Sequence, residues 1–235
     1  MRYSQLEEII LECKPTSIIE IGTHHGHRAY NMCVAALEMT ETLHYIGFDL
    51  WGDATPETDK REMNGKGAGS ERKALEAMKL ISLSYPGFTF ELHKGDTRQS
   101  LHGKNLVADL VFLDGGHSVE TIRGDYEAVK GSKVIVFDDY YLSGADTSKF
   151  GCNEVVKDLP HELLPKVDRF GELSVQMVKI EHKHRCTICG KFYSYGPKGH
   201  VTMPWCTECV EKPAPPNPYI VQNGILVRNT EVPYA

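Results

Sequence analysis

The sequence lacks the usual features of a membrane or secreted protein. None of its apolar runs approaches the roughly 18 residues that a transmembrane helix requires. The opening MRYSQLEEII carries acidic residues where a signal peptide has its apolar stretch, so we expect no secretion signal. Internal repeats are absent as well. These absences predict a cytoplasmic protein without a membrane partner.

Basic residues are also in the minority, since 26 Lys and Arg stand against 32 Asp and Glu and give a net charge of -6. This balance excludes a generally basic nucleic-acid coat, although it does not exclude a local patch. Residues 182–235 contain six basic and three acidic side chains, so their net charge is +3 and that of the remainder is -9. This asymmetry indicates that a partner, if there is one, would bind at the basic residues 182–235.

What is present is ordinary globular composition, with 41% apolar and 25% charged residues. A chain of 235 residues is long enough for one sizeable α/β domain and a small second unit. The seven cysteines are an odd number, and four of them form two CxxC pairs. This usage favours metal binding in a reducing compartment, with Cys13, Cys33 and Cys152 as buried thiols.

Residues 1–181 alternate apolar runs with amphipathic stretches and are predicted to form one domain. The strand-like runs are 17–22, 44–49, 88–96, 108–114 and 133–139, and the helical patterns lie near 26–40, 70–83, 118–130 and 152–159. Such alternation is typical of βαβ units with a parallel sheet covered on both faces. The runs PKVDRF and LSVQMVKI, on either side of Gly171–Glu172, predict an antiparallel hairpin. The expected fold is a Rossmann-like, doubly wound α/β fold with seven strands, the last antiparallel.

Three further segments are expected outside this pattern. Residues 51–70 carry four glycines and many charges, which favours a lid-like insertion over the substrate, the alternative being a plain surface insertion. Residues 182–211 contain the CxxC pairs and are predicted to form a zinc ribbon. Residues 212–235 are predicted to form a Pro-rich linker and a hairpin, because YIVQ and ILVR flank an Asn-Gly pair.

A ligand pocket is predicted at the carboxyl ends of the first three strands. The first strand leads into a Glu20-x-Gly22-x-x-x-Gly26 turn before a helix, and such glycines let the backbone approach a ligand. Asp49 ends the second strand, where it would bind ribose hydroxyls, and Asp96 follows the third, where it would accept the adenine amino group. The GxGxxG spacing of dinucleotide-binding proteins is absent, which leaves NAD binding as the weaker alternative.

These motifs resemble those of the class I S-adenosylmethionine (SAM) dependent methyltransferases over residues 15–181. His24 stands where that family usually has its middle glycine. The resemblance implies that Glu20 and Gly22 contact the methionine end of SAM, Asp49 the ribose and Asp96 the adenine. The whole implied cofactor set is Glu20, Gly22, Thr23, Gly26, Asp49, Leu50, Asp96, Thr97 and Asp114.

Three carboxylates are expected to meet at the ends of strands four and five. Asp114 ends the fourth strand, and Asp138 and Asp139 end the fifth. Because neighbouring strands end at one crevice, these side chains would repel one another unless a hard cation such as Mg²⁺, Mn²⁺ or Ca²⁺ binds them. The alternative is that Asp114 and Asp139 only cap the segments that follow.

Two segments resemble those of metal-dependent O-methyltransferases of the family-24 type, which modify sugar hydroxyls on natural products and glycolipids. They are LDGGHSVETIRGDYEAV and, further along the chain, VIVFDDY. The resemblance implies that a cation on Asp114, Asp138 and Asp139 binds acceptor hydroxyls, lowers the pKa of one and orients it. His117 is the predicted base, with a helix-capping or Asp-orienting role as the alternative. This branch often forms dimers or larger assemblies, so a homo-oligomer is expected.

Two motifs of base-modifying methyltransferases are missing after strand four. The segment reads Asp-Gly-Gly-His, not Asn/Asp-Pro-Pro-aromatic, and it contains no Pro-Cys nucleophile. Methylation of exocyclic amines or of cytosine C5 is therefore disfavoured.

The cysteines are spaced Cys186-x2-Cys189 and Cys206-x2-Cys209 with 16 residues between the pairs, which fits a tetrahedral zinc site. A segment this short has no apolar core of its own, so structural Zn²⁺ would fold it. An iron centre or a redox pair is the alternative. The nearby aromatics would either pack on protein, including a second subunit, or contact nucleic acid; they are Phe192, Tyr193, Tyr195 and Trp205.

The function predicted from the sequence is SAM-dependent, divalent-metal-assisted O-methylation of a hydroxylated small molecule or sugar. Two alternatives stay open. The first is a nucleic-acid-modifying methyltransferase whose ribbon docks the substrate, and the second is a non-catalytic scaffold with the SAM-binding fold. Another reaction on the same fold, such as hydroxylation, would also keep the aspartates.

Overall fold

The structure is a computed structural model that describes residues 2–62, 67–194, 206–210, 219–222 and 225–228. Within them the chain divides into two compact units, residues 1–183 and residues 184–235. No helix in these ranges is both long enough and apolar enough to cross a bilayer.

The larger unit is built on a sheet that contains seven strands within the described residues, in the order β3-β2-β1-β4-β5-β7-β6. The strands are β1 (Ser17–Ile21), β2 (Leu43–Asp49), β3 (Phe88–Lys94), β4 (Leu110–Leu113), β5 (Val134–Ser143), β6 (Glu162–Phe170) and β7 (Leu173–Glu181). The first five strands are parallel to one another, whereas β7 runs antiparallel to both β5 and β6. The predicted Rossmann-like sheet with its antiparallel last strand is confirmed.

Helices cover both faces of this sheet. They are α1 (Ser4–Cys13), α2 (His27–Leu37), α3 (Pro56–Glu62), α4 (Glu71–Ser84), α5 (Thr97–Ser100), α6 (Val119–Val129) and α7 (Asn153–Val156), with a 3-10 turn at Trp51–Asp53. Side chains of α1, α2 and α4 form one apolar cluster, and those of α6 and α7 form another. In β1, Ile18 belongs to the first cluster and Ile19 to the second, because successive strand residues point to opposite faces.

The described part of the insertion at residues 51–70 contains the 3-10 turn and α3. Trp51 is buried, and its indole nitrogen donates to the carbonyl of His24 at 2.7 Å. At the other end, the backbone nitrogen of Ser70 donates to His25 Nδ1 at 2.9 Å. Residues 63–66 lie outside the described residues. The role of this insertion as a lid stays a prediction, with a plain surface insertion as its alternative.

The smaller unit contains β8 (His184–Arg185), β9 (Phe192–Tyr193), α8 (Thr207–Val210), β10 (Tyr219–Gln222) and β11 (Ile225–Arg228). β8 pairs with β9 and β10 with β11, both antiparallel. The Asn-Gly pair between β10 and β11 lies outside the described residues, as do Tyr195 and Trp205. The division into a ribbon at 182–211 and a terminal hairpin segment at 212–235 stays a prediction.

Candidate active site

An open cavity of about 1030 Å³, its mouth included, lies at the carboxyl ends of the parallel strands in the larger unit. Its walls come from the segments that follow β1, β2, β3 and β4, together with α3 and residues near the start of α1 and α2. Ligands of open α/β sheets bind at this edge.

The turn after β1 approaches the neighbouring strand so closely that only glycine fits. Gly22 has φ +98°, and a Cβ there would lie 2.0 Å from the carbonyl oxygen of Asp114. Its backbone nitrogen donates to the carbonyl of Phe48 at 2.8 Å, which joins the turn to the end of β2. Gly26 has φ +78° and caps α2 against Ala74. Gly22 lines the cavity, whereas Gly26 supports the turn from behind.

Asp49 lies at the end of β2 and faces the cavity. Its Oδ2 accepts from the backbone nitrogen of His24 at 2.7 Å, and its Oδ1 accepts from that of Trp51 at 2.8 Å. Burial raises the pKa of Asp49, while these two hydrogen bonds act in the opposite direction. Each carboxylate oxygen has two acceptor positions, so Asp49 retains capacity for ligand hydroxyls.

Glu20 and Thr23, both in the predicted cofactor set, do not line the cavity. Glu20 is fully buried, and its Oε2 accepts from the Tyr45 hydroxyl at 2.6 Å. Burial raises the pKa of Glu20 to about 7. Its Oε1 has no hydrogen-bond partner among the described residues. The Thr23 hydroxyl lies 3.2 Å from that of Tyr45, so it also points inward.

Asp96 does line the cavity, but its carboxylate is already engaged. Its Oδ1 accepts from the backbone nitrogen of Arg98 and thereby caps α5. The Arg98 guanidinium binds both oxygens, with distances of 3.0 and 3.1 Å from Nε and 2.5 Å from Nη2. These hydrogen bonds to Arg98 lower the pKa of Asp96 against the opposing effect of desolvation. The adjacent Leu50 and Thr97 also line the cavity.

The three predicted aspartates meet, with carboxylate oxygens within 4.8 Å of one another. Asp114 follows β4, and Asp138 and Asp139 lie at an irregularity of β5, where the pairing with β7 shifts between Phe137 and Tyr140. Asp139 adopts φ +57°, a conformation that non-glycine residues rarely adopt. Asp114 lines the main cavity, and all three line a smaller one beside it.

Two arginines and a tyrosine bind these aspartates, and none of the three was predicted from the sequence. Arg2 donates to both oxygens of Asp138, from Nε at 2.6 Å and from Nη2 at 2.7 Å. The Tyr3 hydroxyl donates to Asp138 Oδ2 at 2.7 Å, and Arg28 forms an ion pair with Asp114.

Burial and these partners act in opposite directions on the carboxyl groups. Desolvation disfavours the charged form of Asp138, but the hydrogen bonds from Arg2 overcome it and lower the pKa to about 2. At Asp114 burial dominates over the attraction of Arg28, so its pKa is raised. The two carboxyl groups therefore shift in opposite directions, that of Asp114 upward and that of Asp138 downward in pKa.

The position of Arg28 in the sequence gives a weak indication that this residue has a role in the site. A cation in the first turn of a helix is unfavourable for the helix dipole, so a basic residue at that position of α2 suggests a role elsewhere. Nothing comparable marks Arg2 or Tyr3, because residues before a helix carry no periodic pattern. Their contacts with Asp138 depend on how α1 packs.

His117 reaches both the cavity and the aspartates. It is buried, lines the main cavity, and its Nδ1 lies 3.0 Å from Asp139 Oδ2. Its backbone nitrogen donates to the carbonyl of Glu62 at 3.2 Å, and its carbonyl accepts from Gly151 at 2.9 Å. The ring is thus held by a carboxylate, and its backbone is held on both sides.

Glu62 is a cavity residue that sequence reasoning missed. It ends α3, lies nearly buried, and accepts from Ser118 at the backbone nitrogen (3.0 Å) and at the hydroxyl (2.9 Å). The Thr121 hydroxyl donates to the same carboxylate at 3.2 Å. These bonds tie the insertion to the first turn of α6. The sequence does not distinguish Glu62 from the other charged residues of its segment, and most such side chains are solvated.

The model of the methyltransferase-domain family 24 matches residues 19–140, which span β1 to the middle of β5 and contain all three aspartates. The chain belongs to this family. This confirms the sequence-based prediction of a SAM-dependent methyltransferase of class I.

The chain is also similar to two solved O-methyltransferase structures. The O-methyltransferase TomG from Streptomyces achromogenes, solved in complex with SAM, is 14% identical, with 77% of this chain and 79% of TomG covered and a TM-score of 0.50. An O-methyltransferase from Bacillus cereus, in complex with S-adenosylhomocysteine (SAH), is 13% identical, with coverage of 77% and 80% and a TM-score of 0.49. At such identity the likeness to TomG shows a shared fold alone. No curated protein sequence matches the chain.

In the smaller unit, one sulfur from each of Cys186, Cys189, Cys206 and Cys209 lies within 4.8 Å of the others. The backbone nitrogen of Cys186 donates to the carbonyl of Lys191 at 2.7 Å, and that of Gly190 donates to the carbonyl of Cys186 at 2.9 Å. A tight turn thus carries the first CxxC pair. Four cysteine sulfurs this close together are the donor set that is typical of a tetrahedral structural zinc site.

Proposed function

We propose that this methyltransferase transfers a methyl group from SAM to a hydroxyl oxygen of a small molecule or sugar. The observation that carries the proposal is the cavity itself, which is lined by Gly22, Asp49 and Asp114 beside the imidazole of His117. The turn at Gly22 gives close backbone access, and Asp49 offers acceptors for ribose hydroxyls. A carboxylate and an imidazole next to them suit deprotonation of a hydroxyl acceptor.

The residues present fit SAM at two places on the cavity wall. Gly22 leaves the backbone of the turn after β1 without a side chain where it lines the cavity, and Asp49 faces the cavity with acceptor capacity left for ligand hydroxyls. Glu20, which the resemblance assigns to the methionine end, is fully buried and does not line the cavity. Asp96 fits less well as an adenine acceptor, because Arg98 already occupies its oxygens. We therefore assign Asp96 the role of fixing Arg98 at the cavity wall.

Bound SAM supplies a methyl group on a sulfonium, which needs no further activation by the protein. The protein's contribution is then orientation and proton removal. A hydrogen bond from Nδ1 to Asp139 would hold the His117 proton on Nδ1 and the lone pair on Nε2, the nitrogen that takes the acceptor proton. With SAM bound, the acceptor oxygen would receive the methyl group after His117 had taken its proton, and SAH would be left.

The divalent cation predicted at Asp114, Asp138 and Asp139 does not fit this arrangement. The spacing of the oxygens suits a hard cation, but both oxygens of Asp138 bind Arg2, and Asp114 pairs with Arg28. The proposed reaction therefore does not use Mg²⁺, Mn²⁺ or Ca²⁺.

We also propose that the four cysteines of the smaller unit bind one structural Zn²⁺. The supporting observation is the convergence of the four sulfurs. Four thiolates would complete the tetrahedral shell and leave no position for a substrate. The ribbon would then serve folding or interaction. A nucleic-acid substrate, a homo-oligomer and a cytoplasmic location stay predictions from the sequence.

The deciding experiment is calorimetric titration of the purified chain with SAH, comparing wild type with Asp49→Asn. We expect one SAH per chain and a loss of about 10- to 100-fold in affinity for the variant, because a charged hydrogen bond contributes about 1.5–3 kcal/mol. Asp53→Asn is the matched control, since Asp53 is exposed, lies outside the cavity wall and pairs with Lys94. It should bind SAH like wild type.

Absence of SAH binding by wild type would contradict the proposed function. If SAH binds, radiolabelled SAM and paired acceptors that differ only in a hydroxyl, amine or thiol test the acceptor atom. Methylation of the amine member alone would overturn the choice of oxygen.

A further inference from the structure

Arg2 is an arginine almost removed from water and surrounded by carboxylates. Only 5% of its surface is exposed. Besides its two bonds to Asp138, its Nη2 lies 3.6 Å from Asp139 Oδ1 and its Nη1 donates to Asp168 Oδ2 at 3.1 Å. Its backbone is held as well, since its nitrogen donates to Asp168 and its carbonyl accepts from Gln5. The guanidinium thus reaches three carboxylates from one fixed position.

Arg28 approaches the same cluster from α2. It pairs with Asp114, and its guanidinium carbon lies 3.8 Å from the centroid of the Tyr3 ring and 5.2 Å from that of Phe112. Stacking on aromatic rings holds an arginine by cation–π attraction and fixes the direction of its fork. Arg28 also lines the main cavity, whereas Arg2 does not.

These contacts use the acceptor positions that a cation would need. Both oxygens of Asp138 bind Arg2, and one of them also accepts from Tyr3. A divalent ion among the aspartates would lie beside two guanidiniums, and like charges at such range repel one another strongly inside a protein. Mg²⁺ and Ca²⁺ require several oxygen ligands, which these carboxylates would provide only after both arginines had moved away.

We propose that Arg2 and Arg28 take the place of a divalent cation at Asp114, Asp138 and Asp139, so that this methyltransferase works without one. The inference deepens the proposed function, on which it rests. Arg2 neutralises the rear of the cluster and positions Asp138. Arg28 presents its positive charge to the cavity, where it faces an anionic group of the cofactor or of the acceptor.

The test is a Mn²⁺ titration of the purified full chain, followed by the electron paramagnetic resonance signal of free Mn²⁺. We expect wild type to show no stoichiometric Mn²⁺ binding at millimolar concentration. The double variant Arg2→Met and Arg28→Met should bind one Mn²⁺ per chain, because it exposes the carboxylates. Arg169→Met is the matched control, since Arg169 is exposed on β6, and it should behave like wild type.

SAH affinity provides a second readout. In metal-free buffer and in millimolar Mg²⁺, the dissociation constant of wild type for SAH should agree within about twofold, because Arg2 and Arg28 already bind two of the three carboxylates that Mg²⁺ would need. One Mn²⁺ bound per wild-type chain and lost in Asp138→Asn would overturn the inference, whether or not the double variant folds. Absence of SAH binding in either buffer would instead contradict the proposed function and leave the Mn²⁺ result to stand by itself.

Discussion

Single carboxylates in this protein differ in behaviour because their surroundings differ. Asp138 and Glu20 are both buried, yet the pKa of Asp138 is lowered to about 2 and that of Glu20 is raised to about 7. Asp138 has a guanidinium on both oxygens, whereas Glu20 accepts a hydrogen bond from one tyrosine hydroxyl and is attracted by Arg28 only through space. Burial raises the pKa of both carboxyl groups, and the direct hydrogen bonds from Arg2 account for the difference between them.

The raised pKa of Glu20 predicts a pH-dependent stability. Its folded value of about 7 exceeds its usual value of 4.5, so the folded state binds a proton that the unfolded state releases. The free energy of unfolding should therefore fall as pH rises from about 4.5 to about 7, by about 3 kcal/mol from this group. Glu20→Gln removes the contribution, so its stability relative to wild type should increase across that window. Urea unfolding at several pH values measures the difference.

Asp125→Asn is a useful companion, because burial also raises the pKa of Asp125 to about 7. Each variant should flatten part of the pH profile. A constant difference between wild type and Glu20→Gln at every pH would contradict the assignment of the shift to Glu20.

At the scale of elements, helix α3 is held mainly through its last residue. Glu62 accepts three hydrogen bonds from Ser118 and Thr121, while Arg61 pairs with it at 3.0 Å and with Glu120 at 3.1 Å. The other side chains of α3 are exposed or half-buried. Propensity alone predicts little for seven residues with many charges, so tertiary contact explains the helix.

Replacement of Glu62 by alanine should therefore release the insertion. We expect faster proteolytic cleavage within residues 51–70 and a loss of about 1–3 kcal/mol, because Ser118 and Thr121 lose their buried acceptor. Glu57→Ala, an exposed change on the same helix, should leave cleavage unchanged. Mass spectrometry of the fragments locates the cut. Equal cleavage of the two variants would mean that Glu62 does not hold the insertion.

At the scale of the whole molecule, the two units depend on different sources of stability. The larger unit has two extensive apolar clusters, one on each face of the sheet. The buried cluster described for the smaller unit consists of Cys186, Tyr193 and Cys206 with Cys209 against them. So small a core does not fold a chain without a metal or disulfide.

Zinc content should follow the four cysteines alone. We expect about one zinc per chain in wild type and almost none in Cys189→Ser, because a tetrahedral site needs all four ligands. Cys13→Ser, which changes a thiol outside the cluster, should retain its zinc. Elemental analysis together with SAH titration checks both units. Full zinc occupancy in Cys189→Ser would contradict the proposed zinc site.

The sequence by itself determined the sheet and the ends of its strands. Short apolar runs, glycine turns and terminal aspartates are local signals, and strands that end at the same edge bring Asp114, Asp138 and Asp139 together. Spacing likewise predicted the four-cysteine cluster. These features depend on residues that are close together in the sequence, so the sequence was enough to predict them.

Only the tertiary structure decided which groups surround those residues. Arg2 meets Asp138 across 136 positions of sequence, and Glu62 meets Ser118 across 56. The Glu20 carboxylate accepts a hydrogen bond from the buried Tyr45 hydroxyl, and the Asp96 carboxylate is bound by the Arg98 guanidinium. No periodicity encodes such pairs, because they depend on how a helix packs and where a side chain finds its counter-charge. The charge balance of the site, and with it the need for a cation, is a property of the packed molecule.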